Sequence, residues 1–211
     1  MSKIEEIFTA IETGKAKIIT ELVQSAIDEG VDPMEILNHG MVDAMTLIGE
    51  RFSRGEAFVP EMLISARTMK KGVEVLKPHL AKDATTSFGT AVIGTVQGDM
   101  HDIGKNLVAM MIESAGFEVV DLEVDVPLER FVEAIQTHPN VRIVALSTLL
   151  TTTMPAMKRI VAGLNELENR SAFRVMVGGA PITEEFARSI GADGYSPDAA
   201  AAAALAKSLA G

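Results

Sequence analysis

The apolar residues of the first 80 positions recur every three or four residues, which is the period of an amphipathic helix. The pattern is clearest in two stretches: Ile4, Ile7, Phe8, Ile11 and Ile18, Ile19, Leu22, Val23, Ile27. Gly14 and Gly30 interrupt it, Asp32 and Pro33 supply an N-cap and a first-turn proline, and residues 55–60 separate a third helix from a fourth. Residues 1–80 are therefore predicted to form a four-helix bundle.

The pattern changes class after a stretch without periodicity. Residues 81–88 are rich in Ser, Thr and charge and are predicted to be a linker. Five short β-rich runs follow in residues 89–211, each with a helical segment after it: TAVIGTV, FEVVDL, VRIVALS, FRVMVGG and DGYS. Repeated βα units indicate an α/β domain with a flavodoxin-like or Rossmann-like five-stranded parallel sheet, helices on both faces and the strand order 2-1-3-4-5.

In that order a ligand crevice opens at the carboxyl ends of strands 1 and 3. The loops that leave strands 1, 3 and 4 read QGDMHDIG, STLLTTT and GGAPIT, and all are small, polar or rich in glycine. The opposite edge has ordinary connections such as SAGFE and THPNV. The functional site is therefore expected at the first edge.

Composition narrows the possible functions. The 211 residues include 29 acidic and 19 basic side chains, a formal charge of −10, and no basic tract, so nucleic acid is not an expected partner. The absence of cysteine excludes disulfides, thiolate nucleophiles and Cys-ligated metal centres. No apolar run reaches the roughly 20 residues of a membrane span, so no membrane association and a cytoplasmic location are expected.

One loop carries a candidate metal ligand. His101 lies between Asp99 and Asp102 in the loop that follows strand 1, with Gly98 before it and Gly104 at the start of the helix. A neutral imidazole is a good metal ligand, and a carboxylate that accepts its other ring N–H fixes its tautomer. Taken alone, a single loop histidine is more often solvated or structural. No role is assigned to the remaining histidines, His39, His79 and His138.

Three motifs together resemble the signature of cobalamin-binding domains. They are the DxHxxG of Asp99, His101 and Gly104, the SxL of Ser147 and Leu149, and the GG of Gly178 and Gly179. The segment ERFSRGEAFVPEMLISARTMKKGVEVL also resembles the helical cap of the methyltransferase branch, which includes methionine synthase and the corrinoid proteins of methanogens and acetogens. The resemblance covers nearly the whole chain.

The resemblance implies a role for each matching residue. His101 would replace the dimethylbenzimidazole of cobalamin as lower axial ligand of cobalt, the base-off, histidine-on arrangement. Asp99 would accept a hydrogen bond from His101, and Ser147 would contact Asp99. The residues expected to bind the cofactor are Gly98, Asp99, Met100, His101, Asp102, Ile103, Gly104, Ser147, Leu149, Thr151, Thr152, Gly178, Gly179, Phe58 and Met62.

Several of these residues have a plainer interpretation. The glycine pair also suits a strand-end turn, and Ser147 or Thr153 also suits a helix cap. Phe58 and Met62 are expected over the upper face of the corrin, together with Ala66 and Met69. Met62, Ala66 and Met69, however, also have the i, i+4, i+7 spacing of an ordinary core face.

The function implied by the resemblance is that of a methyl carrier, which does not turn over alone. It would cycle between cob(I)alamin and methylcobalamin while shuttling a methyl group between a substrate:corrinoid methyltransferase and an acceptor methyltransferase that uses tetrahydrofolate or a thiol. A reductive activator of the corrinoid is a further expected partner. The sequence does not indicate whether methanol, a methylamine, a betaine or an aryl methyl ether is the donor.

The sequence leaves three other functions as alternatives. A cobalamin-responsive sensor would need an output element, and an adenosylcobalamin mutase subunit would match the sheet motifs but not the cap. A cofactor-free signalling domain would use Asp99 or Asp102 to bind a cation or a phosphoryl group, and it leaves His101 without a role.

Overall fold

The N-terminal unit of the chain is helical throughout. The computed structural model describes residues 2–80 and 88–211. The helices of the first range are α1 (Lys3–Glu12), α2 (Ile19–Asp28), α3 (Pro33–Glu35), α4 (Asp43–Ser53) and α5 (Val59–Leu76), with a π-helical segment at Ile36–Val42 and a 3-10 turn at Lys77–His79. Because α3, the π segment and α4 are continuous, the predicted four helical stretches are confirmed. Residues 81–87 of the predicted linker lie outside the described residues.

Local signals set the helix ends where the sequence predicted them. Asp32 accepts hydrogen bonds from the backbone N–H groups of Met34 and Glu35, and Pro33 occupies the first turn of α3. Gly30 follows α2 with a φ of +79°, a left-handed conformation that glycine adopts without steric cost. The N-cap and break predictions are therefore confirmed.

The π-helical segment was not predicted. The N–H of Asp43 donates to the carbonyl of Asn38, five residues back, so this turn contains one more residue than an α-helical turn. At Gly40 a Cβ atom would lie 3.1 Å from Cγ2 of Ile7, so the backbone approaches α1 closely here. The segment depends on this contact between residues far apart in the chain, which the helical period of the sequence does not show.

The second compact unit begins at Phe88 and is an α/β domain. Its strands are β1 (Thr90–Thr95), β2 (Glu118–Asp121), β3 (Val141–Ser147), β4 (Arg174–Gly178) and β5 (Gly194–Ser196), and its helices are α6 (Ile103–Ser114), α7 (Leu128–Thr137), α8 (Met154–Asn165), α9 (Glu184–Ser189) and α10 (Ala199–Ala210). All strand pairs are parallel, in the order β2-β1-β3-β4-β5. The predicted sheet and its order are confirmed.

Both faces of the sheet are covered. On one face Val144 and Val175 pack in a cluster with Phe131 of α7 and Met157 of α8, all fully buried. The alternate strand residues, such as Ile143, point to the other face and are also buried, and α10 contacts β3, β4 and β5. This two-sided burial explains the almost continuous apolar strands and leaves the strand ends as the places for polar chemistry.

None of the helices in residues 2–80 and 88–211 is both long and apolar enough to cross a membrane.

Candidate functional site

The carboxyl ends of the three central strands lie side by side. Thr95, the last residue of β1, is paired with Ser147 at the end of β3, and Ser147 is paired with Gly178 at the end of β4. The loops that leave these strands therefore start from one edge of the sheet. The predicted convergence of these loops on one edge is confirmed, and the binding of a ligand there stays a prediction.

Asp99 is the centre of this edge. It is fully buried, and its Oδ1 accepts hydrogen bonds from the backbone N–H of His101 (3.1 Å) and from His101 Nδ1 (2.7 Å). Its Oδ2 accepts from the N–H groups of Leu149 (2.7 Å) and Leu150 (3.3 Å) and from the hydroxyl of Thr148 (2.8 Å). A buried carboxylate costs free energy unless it is hydrogen-bonded, and here both oxygens have partners.

The same hydrogen bonds keep Asp99 ionised. Burial is the largest influence and acts to raise the pKa of its carboxyl. The hydrogen bonds donated by Leu149, by His101 and by Thr148 act in the opposite direction and together outweigh it. The pKa of Asp99 therefore lies well below its usual value. At neutral pH its carboxylate can accept hydrogen bonds but cannot donate them.

This carboxylate fixes the tautomer of His101. Since ionised Asp99 accepts but does not donate, the hydrogen of a neutral imidazole must lie on Nδ1, and Nε2 keeps its lone pair. The His101 side chain is half exposed, and no hydrogen-bond partner for Nε2 occurs among residues 2–80 and 88–211. His101 thus presents an oriented Nε2 lone pair at the edge of the sheet, and its ligation of a metal stays a prediction.

The predicted contact between Ser147 and Asp99 was wrong. The hydroxyl that reaches Asp99 belongs to the next residue, Thr148, and that of Thr153 lies 3.2 Å from Oδ2. The hydroxyl groups of Thr148 and Thr153 are 2.5 Å apart, so they form a buried pair beneath Asp99. Ser147 is the last residue of β3, and consecutive side chains of a strand point to opposite faces of the sheet. The side chain of Thr148, rather than that of Ser147, therefore lies on the same side as Asp99.

Thr153 has a different role from the predicted helix cap. It occupies the N-cap position of α8, but its side chain makes no capping hydrogen bond there. Its hydroxyl instead donates to the carbonyl of Leu150 and contacts Asp99. Thr151 and Thr152 precede it in a 3-10 turn with both side chains exposed.

The glycines at this edge of the sheet differ in how strongly the structure requires glycine. Gly179 has a φ of +124°, and a Cβ there would lie 1.8 Å from the Thr148 carbonyl oxygen, so close backbone packing requires glycine. At Gly178 a Cβ would meet the Ser196 carbonyl at 3.3 Å, while at Gly104 it would meet nothing within 4 Å. Gly98 has a φ of +87°. Gly179 is therefore explained by the packing of β4 against the Thr148 segment.

Large apolar side chains surround His101 without being buried. Met100 and Ile103 are 69% and 87% exposed, and Leu149 and Leu150 are 46% and 38% exposed. Isolated exposed apolar residues are common, but four around one oriented imidazole indicate a ligand surface that is largely apolar. The donor set thus fits a metal carried in a large organic ring rather than a hydrated metal ion.

Comparison with known proteins agrees with this chemistry. A family profile described as a B12 binding domain matches residues 89–204, and a second profile with the same description matches residues 3–77. The chain belongs to the B12-binding family. Its cofactor is accordingly a corrinoid, the expected cobalamin type.

Members of the B12-binding family resemble this chain over nearly its full length. Trimethylamine corrinoid protein 1 of Methanosarcina acetivorans is 42% identical over 206 residues, covering 94% of each chain. A cobalamin-binding protein of Desulfitobacterium hafniense has a TM-score of 0.83 at 31% identity and covers 100% of both chains. In the methanol:cobalamin methyltransferase complex MtaBC of Methanosarcina barkeri, the TM-score is 0.83 at 30% identity, covering 99% of this chain and 79% of that one.

The predicted B12 contacts in the helical unit fall into two classes. Phe58, at the N-cap of α5, is 66% exposed, and Val59 and Ile64 of the same helix are also exposed. Met62 is fully buried, as are Ala66 and Met69, so these three have the burial of an ordinary core face. Corrin contacts of Phe58 and Met62 stay predictions.

Sequence reasoning missed several residues that shape the candidate site. The hydroxyl of Thr95 is buried and donates to the carbonyl of His101 (2.8 Å). Lys105 is buried in the first turn of α6 and forms an ion pair with Asp121. Asp125 accepts a hydrogen bond from Gly98, whose loop it faces from another part of the chain. The bonded residues are 6, 16 and 27 positions apart, so no single short motif marks these contacts.

Proposed function

We propose that this chain is a methyl-carrier protein in which His101 Nε2 is the lower axial ligand of the corrinoid cobalt, in place of dimethylbenzimidazole. The supporting observation is the buried, ionised Asp99 that accepts a hydrogen bond from His101 Nδ1 and leaves Nε2 available. A carboxylate in this position fixes the tautomer of the imidazole and restrains its rotation, both of which favour metal ligation.

Residues of the sheet edge would bind the remainder of the cofactor. The exposed side chains of Met100, Ile103 and Leu149 suit the apolar surface of a corrin ring. The hydroxyls of Thr151 and Thr152 are exposed and suit its amides or its nucleotide tail. Gly98, Asp102, Gly104, Ser147, Gly178 and Gly179 complete the proposed set, and Asp102 already accepts a hydrogen bond from Asn106.

When bound, the corrinoid supplies a cobalt centre that can receive and release a methyl group. In this proposal the chain itself contributes an oriented axial nitrogen and the apolar side chains of the sheet edge. We therefore expect no turnover by the isolated protein, and the cytoplasmic location stays a prediction.

The proposed partners follow from the carrier role and from the names of the relatives. MtaBC is a methanol:cobalamin methyltransferase complex, so we propose a substrate:corrinoid methyltransferase as one partner of this chain. A second methyltransferase, for tetrahydrofolate or a thiol, and a reductive activator complete the scheme. The relatives are named for different methyl donors, so the donor is set by the partner enzyme in this proposal.

Reconstitution with hydroxocobalamin tests the ligand. The full chain and His101→Ala are loaded, freed of excess cofactor and reduced to the cobalt(II) state. We expect the wild type to retain about one cofactor and to show an axial nitrogen in its electron paramagnetic resonance spectrum, as a splitting of the cobalt lines that changes from three lines to two when its histidines carry nitrogen-15, whereas the spectrum of His101→Ala does not respond to this label. His39→Ala is the matched control, since His39 is exposed on the helical unit and bonded to Asp43.

The outcomes separate the alternatives. A wild type that retains the cofactor but whose splitting does not respond to labelled histidine would keep corrinoid binding and discard His101 as the ligand. A wild type that retains no cofactor would refute the carrier proposal. Preferential retention of adenosylcobalamin, with a change in the protein on illumination, would favour the sensor over the carrier.

A further inference from the structure

The loop between β2 and α7, residues 122–127, lies against the loop that carries His101, residues 96–102. The Asp125 side chain accepts a hydrogen bond from the Gly98 N–H at 2.7 Å, and the Asp125 N–H donates to the Asp99 carbonyl at 3.0 Å. One residue thus contacts the backbone on both sides of the Gly98–Asp99 peptide unit. Val126 follows with a backbone hydrogen bond to Thr95 of 2.9 Å.

Asp125 adopts an unusual backbone conformation to make these contacts. Its φ is +56°, in the left-handed region that non-glycine residues adopt at a cost, although Asp and Asn tolerate it better than most. Glycine would satisfy the backbone alone. An aspartate at this position indicates that its carboxylate takes part in an interaction. Among residues 2–80 and 88–211 this carboxylate accepts a hydrogen bond from the Gly98 N–H.

The contacts of Asp125 affect the proposed metal ligand, His101. Asp99 is the residue whose carboxylate orients His101, and the backbone of Asp99 is what Asp125 holds. Resting on the proposed function, we propose that Asp125 is a positioning residue that fixes the 96–102 loop, so that Asp99 stays aligned with His101 and the imidazole is preorganised to bind cobalt. Within residues 2–80 and 88–211 its hydrogen bonds to this loop go to the backbone of Gly98 and Asp99, so in this proposal Asp125 acts through the loop backbone.

Three substitutions separate the side-chain acceptor from the backbone conformation. Asp125→Asn keeps an oxygen acceptor and tolerates the left-handed φ, Asp125→Gly keeps only the conformation, and Asp125→Ala keeps neither. Asn140→Ala is the matched control. Asn140 also has a left-handed φ, +57°, but it precedes β3 at the opposite edge of the sheet.

Two measurements on the full chain decide the proposal. The first is the hydrogen-exchange rate of the Gly98 amide in the cofactor-free protein, and the second is the fraction of bound cobalt(II) cofactor whose nitrogen splitting responds to nitrogen-15 histidine. Asp125→Gly is expected to speed Gly98 exchange by about tenfold, the effect of losing one hydrogen bond, and to lower the histidine-ligated fraction. Asp125→Asn is expected to match the wild type in both, and Asn140→Ala to change neither.

Wild-type values for both measurements in Asp125→Gly would overturn the proposal. Equal impairment of Asp125→Asn and Asp125→Gly would also overturn it, because it would show that the charge rather than the placed acceptor matters. Should the wild type itself lack the nitrogen splitting, the proposed ligand fails, while the Gly98 exchange rates still decide whether Asp125 fixes the loop.

Discussion

The substitution Asp99→Asn tests how the site sets the tautomer of His101. It changes one acceptor oxygen into an NH2 donor at nearly constant shape. At the Oδ2 position the new donor would face the N–H groups of Leu149 and Leu150, which cannot accept. At the Oδ1 position it would face one backbone N–H and Nδ1 of His101, and Nδ1 can accept if its hydrogen moves to Nε2. We expect the second orientation, with Nε2 protonated.

The cost follows from the hydrogen bonds that change. The backbone N–H of His101 loses its partner, which costs about 1–3 kcal/mol, and the bonds that remain lose their charge assistance. We therefore expect the free energy of unfolding of the cofactor-free protein to decrease by about 2–4 kcal/mol. Ligation of cobalt now requires the wrong tautomer to revert, and loss of such a supporting carboxylate typically weakens metal binding by about 10–100-fold.

Urea unfolding of the cofactor-free protein measures the first effect. The nitrogen-ligated fraction of bound cobalt(II) cofactor measures the second. Asp43→Asn is the matched control, because Asp43 bonds Nδ1 of the exposed His39 at 2.9 Å without forming part of the sheet edge, and little change is expected in either quantity. The reasoning would be refuted by an Asp99→Asn protein that binds cobalt through His101 as fully as the wild type does.

Three further outcomes follow from the same geometry. Thr148→Val should lower the free energy of unfolding by about 1.5–3 kcal/mol, the value of a hydrogen bond to a charged group, whereas Ser147→Ala should change it little. If urea unfolding shows the larger loss for Ser147→Ala, Ser147 rather than Thr148 is the partner of Asp99. Gly179→Ala should cost more than the roughly 1–2 kcal/mol expected of Gly55→Ala, since both have positive φ but only Gly179 is crowded, and equal costs in urea would contradict this. Because the folded pKa of Asp99 is depressed, its stabilising contribution is complete above its unfolded pKa of about 3.9 and is lost as the pH falls below that value. The difference in unfolding free energy between wild type and Asp99→Asn should therefore shrink from about pH 6 to about pH 3, and a constant difference would argue against an ionised Asp99.

The order of the sheet could be predicted because it depends on repeated local patterns. Five βα units leave few topologies once parallel strands and right-handed crossovers are required, and the loop compositions mark the edge that carries the site. The helix ends near Gly30 and Asp32 were predictable for the same reason, since capping is a property of neighbouring residues. The π segment at Ile36–Val42 was not, because it depends on how Gly40 packs against Ile7.

The candidate site could be predicted only in its local part. Asp99 and His101 are two residues apart, so their contact follows from the motif. The hydroxyl beneath Asp99 comes from a residue 49 positions away, and the choice between Ser147 and Thr148 depends on where β3 ends. Asp125 was missed for a similar reason, since its role appears only when two loops from different strands are seen together.

The carboxylate of Asp99 is held largely by the main chain. Three of its donors are the backbone N–H groups of His101, Leu149 and Leu150, which every non-proline residue supplies. The side chains at positions 149 and 150 are therefore not needed to hold Asp99, and both are partly exposed to solvent. In the proposed site these two side chains can change to suit a new corrinoid or a new partner enzyme while the proposed axial ligand keeps its place, so recognition and cobalt ligation would depend on different atoms of the same loops.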